Sequence, residues 1–61
     1  MTPTNTQEQY DVLGELSLLY RTCEANIMSA FYNKITLDEL NDIMVDLHNQ
    51  IEKEVSKLND L

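Results

Sequence analysis

Ala30-Phe31-Tyr32-Asn33-Lys34-Ile35-Thr36-Leu37-Asp38-Glu39-Leu40 holds the one break in a pattern of leucine-spaced apolar residues that otherwise runs along nearly the whole chain. Asn33 takes a left-handed backbone conformation more readily than most residues, which suits the end of a helix. Thr36 with Glu39 three positions later is a capping box, in which hydroxyl and carboxylate each accept from a backbone N–H that has no partner inside the helix. Ile35 and Leu40 stand where a hydrophobic staple needs them, just before the cap and at the fourth helical position. One helix therefore ends and another starts across Asn33-Lys34-Ile35, a connection of about three residues typical of antiparallel helix pairs.

Towards the amino end, Thr6 and Gln9 form another capping box, and Glu8 and Asp11 place carboxylates near the positive helix end. A first helix is predicted over about residues 6–32. Leu13, Leu16, Tyr20, Cys23, Ile27 and Ala30 alternate at spacings of three and four, the seam of a helix bundle, with Val12, Leu19 and Phe31 on its flanks. Gly14 lies off that seam. It costs about 1 kcal/mol of helix propensity relative to Ala, so it implies either a loose helix start or a close helix crossing.

Towards the carboxyl end a second helix is predicted over about residues 37–59. Its seam is Leu37, Leu40, Met44, Leu47, Ile51 and Leu58, with Leu61 a further candidate and Ile43 and Val55 on the flanks. Glu54 interrupts this seam, so the pattern opens to solvent, bends or meets a partner group there. Lys53 and Lys57 suit the negative end of the helix dipole. The fold class is all-α: residues 6–61 form a single two-helix antiparallel hairpin, and residues 1–5 a flexible tail.

A chain of 61 residues buries little of its surface when folded alone, and small scaffolds usually need a disulfide, a metal or an oligomer for stability. Cys23 is the only cysteine, which excludes an intrachain disulfide, and it reads as a small buried hydrophobe. His48 with Glu52 is one turn of possible metal pair, well short of a ligand set. No cofactor is expected. Two hairpins closing into a four-helix bundle would cover both apolar stripes with two-fold symmetry. Burying about five more large side chains per chain would contribute on the order of 10 kcal/mol before the entropy of association is subtracted. A homodimer is the expectation, though a heterodimer uses the same physics.

The formal net charge is −7, eleven acidic residues against four basic ones. Direct nucleic-acid binding needs clustered Lys and Arg to displace counterions, and Arg21, Lys34, Lys53 and Lys57 are few and scattered. Met1-Thr2-Pro3-Thr4-Asn5 lacks the basic flank and apolar run of a signal peptide. No stretch approaches the roughly 20 apolar residues that span a bilayer. A cytoplasmic protein that does not enter membranes is expected, in keeping with an unpaired cysteine.

Two sets of residues are candidates for partner binding. Leu18, Met28 and Tyr32, with Ala25 and beside Arg21, form a second stripe on the first helix. Either the other hairpin of a bundle covers it, or it docks on a different protein, since aromatic residues and Arg are enriched in binding hot spots. Asp38, Asp42 and Asp46 recur every four residues and stack on one face of the second helix. Such a row is usually a solvated outer face; the alternative is imitation of nucleic-acid phosphates.

In length and organisation, over about residues 6–59, the chain resembles the plasmid copy-number regulators of the Rop type, helical hairpins that dimerise into four-helix bundles. The resemblance implies the same bundle. Rop-type proteins hold paired RNA through basic and polar residues of their first helices; here Arg21 stands against Glu8, Asp11, Glu15 and Glu24, so that activity does not carry over. Asp38-Glu39-Leu40-Asn41 is similar to part of the signature of small sporulation-phosphatase hairpins, but the preceding Ser-Gln and the final Asp are missing and no identification follows.

With no nucleophile–base pair or carboxylate dyad in a pocket, the expectation is a non-enzymatic interaction module. It would act as a regulator or inhibitor by stoichiometric binding to a partner protein, of a kind a phage or other mobile element could encode. The alternatives are a nucleic-acid mimic, a structural subunit or secretion co-chaperone, and a Rop-like RNA binder.

Overall fold

The computed structural model describes residues 6–61; the expected tail, residues 1–5, lies outside the described residues. Two helices, α1 (Gln7–Phe31) and α2 (Leu37–Asp60), form the hairpin, and there is no strand among the described residues. Both capping boxes are made. Gln9 N–H donates to Thr6 Oγ1 at 3.2 Å while Thr6 N–H donates to Gln9 Oε1 at 2.7 Å. Glu39 N–H donates to Thr36 Oγ1 at 3.1 Å and Thr36 N–H to Glu39 Oε1 at 3.2 Å.

The turn is built by the residue expected to build it. Asn33 has φ 60°, its N–H donates to the Ala30 carbonyl at 3.0 Å, and the Lys34 N–H donates to the Ser29 carbonyl at 2.8 Å. These two bonds are the Schellman closure, which satisfies the last carbonyls of α1 while reversing the chain. Ile35 and Leu40 are both half-buried.

Among the described residues Val12 and Cys23 of α1 and Leu47 and Ile51 of α2 are the buried ones, each 6–8% exposed, and no side chain is fully enclosed. Leu16, Leu19, Ile43 and Met44 pack against Cys23, Leu47 and Ile51. The α2 seam thus follows its expected line through Leu40, Met44, Leu47, Ile51 and Leu58, all buried or half-buried. Leu37, read as its first member, is exposed.

On α1 the hairpin contact lies one step round from the expected seam. Val12 and Leu19, read as flanks, join Leu16 and Cys23 against α2, whereas Leu13, Tyr20 and Ile27 are exposed. Both sets satisfy three–four spacing and share Leu16 and Cys23, so periodicity alone does not say on which side α2 sits. The molecule is a single layer, with transverse extents of 18 and 14 Å, where a stable core ordinarily lies between two packed layers.

Candidate interaction surfaces

Successive residues advance about 100° round a helix, so burial along each helix fixes which way every side chain faces. On α1, the line through Val12, Leu16, Leu19 and Cys23 faces α2. Leu13, Tyr20, Ile27 and Phe31 lie about 75° round from that line, and all four are exposed. On α2, exposed Leu37, His48 and Val55 lie about 80° round from the Leu40–Leu47–Leu58 line, beside half-buried Met44. Because the helices are antiparallel, these two rotations turn towards the same side of the hairpin. One flat face is therefore largely apolar across both helices, with His48 set within it.

The opposite side of the hairpin is polar. There a shallow groove near the free helix ends is lined by Asp11, Val12, Glu15, Glu54 and Lys57. Glu54, which breaks the α2 seam, meets Lys57 Nζ at 3.0 Å; the glutamate side chain is 17% exposed and the lysine 64%. Among the described residues the bonding partner of Glu54 comes from its own helix and not from α1.

The first partner-binding candidates, Leu18, Arg21, Met28 and Tyr32, are all exposed. They fall within about 80° of one another on the side of α1 turned away from α2. Gly14 belongs to this outer stripe, and a Cβ there would meet no heavy atom within 4 Å. A close crossing within the hairpin is therefore not the reason for the glycine. At the turn end, the Tyr32 ring meets the Phe31 ring edge to face, with centroids 5.2 Å apart and planes at 89°, an arrangement aromatic pairs favour.

Asp38, Asp42 and Asp46 are exposed on the outer side of α2, and Asp46 Oδ2 accepts from Gln50 Nε2 at 2.9 Å. None of the three is in a salt bridge among the described residues. His48 and Glu52 are exposed, and no group of three or more His, Cys, Asp or Glu side chains among the described residues is placed to hold a metal ion. Among the described residues no helix is long and apolar enough to cross a membrane.

Side-chain hydrogen bonding among the described residues is local. Thr22 Oγ1 donates to the Leu18 carbonyl, Asn26 Nδ2 to the Thr22 carbonyl and Ser29 Oγ to the Ala25 carbonyl, all on α1. This back-bonding to the preceding turn satisfies polar side chains without reaching across to α2. Sequence reading placed the outer stripe and the acidic row, but not the face formed by Leu13, Tyr20, Ile27 and Phe31. The signal for it is Leu13-Tyr20-Ile27 at seven-residue spacing, three residues that the expected seam also contains, with Phe31 on its flank. No family model, curated protein or solved structure matches the chain.

Proposed function

We propose that this hairpin is a non-enzymatic interaction module of the cytosol that self-associates and acts by stoichiometric binding to a partner protein, as a regulator or inhibitor. The observation that carries the reading is the apolar surface the hairpin leaves uncovered. Tyr20, Phe31, Leu37 and Leu18 are more than half exposed while, among the described residues, only four are buried in the core. Contiguous apolar area on a small acidic protein marks a surface made to be covered. Nothing in the groove beside Lys57 supplies a nucleophile with a base, which is why binding rather than chemistry is proposed.

The outer stripe Leu18, Arg21, Met28 and Tyr32 is the proposed target surface. Affinity capture from the host with the wild-type chain, Leu18→Asp and Tyr32→Asp tests it. A protein retained at stoichiometric yield by the wild type and lost by both variants supports the reading. Equal retention by all three sinks the assignment of this stripe, and no stoichiometric partner sinks the regulator reading.

A second reading is favoured by one observation, the unpaired exposed row Asp38, Asp42 and Asp46. A phosphate mimic would occupy the basic groove of a nucleic-acid-binding protein, and its binding would fall steeply with salt. Asp42→Asn with Asp46→Asn should then abolish competition with DNA; retained competition dismisses this reading.

A further inference from the structure

We infer that the face bearing Leu13, Tyr20, Ile27 and Phe31 of α1 with Leu37, Met44 and Val55 of α2 is the one that meets a second copy of this chain, and that the Leu18–Arg21–Tyr32 stripe stays outside the resulting four-helix bundle. The inference rests on the self-association proposed above and says which surface performs it.

Three observations select this occupant and this face. The first is angular. In four helices packed as a square, each helix has two neighbours about 90° apart as seen from its own axis. On α1 the line facing α2 and the Leu13–Tyr20–Ile27 line are separated by about 70°, near that angle, and α2 repeats the relation on the same side of the hairpin. The outer stripe of α1 faces directly away from α2, so a second hairpin stacked on the apolar face cannot reach it.

The second observation is area. Leu13, Tyr20, Ile27, Phe31, Leu37 and Val55 lie on this face and are 39–77% exposed. Aromatic side chains bury about 150–250 Å² each, so this set leaves on the order of 600 Å² uncovered. A stable pair needs about 800 Å² from each partner. The match is to a partner of similar footprint, and a second hairpin is one.

The third observation is charge. A net charge of −7 opposes self-association wherever the acidic residues meet. On the apolar face only Glu24 of α1 and Glu52 of α2 come near, whereas Asp38, Asp42 and Asp46 point outward and Asp11, Glu15 and Glu54 surround the groove on the far side. Two copies can meet here with little like-charge contact. The face also offers no cluster of charge that would recruit a charged foreign partner.

Tyr20 and Leu18 provide a matched test, because in the lone hairpin they are 59% and 58% exposed. A lysine at either position should affect the isolated hairpin equally. Sedimentation equilibrium and circular dichroism of the full chain, Tyr20→Lys and Leu18→Lys should show a wild-type dimer. Leu18→Lys should match the wild type, and Tyr20→Lys should raise the dimer dissociation constant on the order of 100-fold. Dimers of unchanged affinity in Tyr20→Lys, or dissociation by Leu18→Lys instead, would overturn the choice of face while leaving self-association standing. A wild-type chain that stays monomeric and helical overturns both. If Tyr20→Lys loses helicity as well as the dimer, Tyr20→Ser, which adds no charge, should show intermediate dissociation; an unweakened Tyr20→Ser dimer counts against the face.

Discussion

Asn33 carries the reversal of the chain with its backbone at φ 60°, a conformation that costs a β-branched residue substantially more than it costs Asn or Gly. Asn33→Val should therefore lower stability by about 1–2 kcal/mol, whereas Asn33→Gly should be neutral or better, as read by urea denaturation. Gly14 is the opposite case. It sits in mid-helix with open space where a Cβ would go, so Gly14→Ala should stabilise by about 1 kcal/mol and raise the melting temperature by roughly 4–8 °C in a domain of this size. A drop on Gly14→Ala would show that the glycine is needed for a close approach the hairpin itself does not make. These features were legible in the sequence because they are local. A cap, a left-handed residue and a staple each need only four or five consecutive positions, and Thr6, Thr36 and Asn33 behave as their neighbours dictate.

Between elements, the sequence was informative for α2 and ambiguous for α1, for a physical reason. α2 has one continuous apolar line, with Leu37, Val45 and Val55 exposed outside it, so its inward side had one main solution. α1 carries three series at three–four spacing, and a helix apolar over most of its circumference has no single inward side until its neighbours are placed. Leu16 and Cys23 belong to two of those series, which is how Leu13, Tyr20 and Ile27 came to be read as hairpin seam. Glu54 shows the cost of a polar residue in the α2 line. Its bond to Lys57 is a pair on one helix with an exposed lysine and contributes little. Glu54→Leu should therefore join Ile51 to Leu58 and stabilise by about 1 kcal/mol, checked by thermal melting; a loss of stability would show that the Glu54–Lys57 pair matters more than the apolar line it interrupts.

For the molecule as a whole, a single layer of two helices leaves folding and association linked. Anything that binds the folded chain and not the unfolded one raises apparent stability with its own concentration. A self-covering hairpin is its own ligand, so the melting temperature should climb as the protein is concentrated, and should climb further with added salt as the acidic outer faces are screened. Calorimetry over a hundredfold range of protein concentration checks this, and a constant midpoint would mean that the lone hairpin accounts for all of its stability.

Thr22, Asn26 and Ser29 return their hydrogen bonds to their own helix, and Glu54 keeps its ion pair on α2. With no directional bond tying one rod to the other among the described residues, what holds them is oily contact. The turn sets how far one rod can slide along its neighbour, and the fit of Leu16, Leu19 and Cys23 against Ile43, Met44, Leu47 and Ile51 is what sets its rotation. Trimming one of those side chains should therefore re-aim the outer surface of the rod as well as loosen the pair.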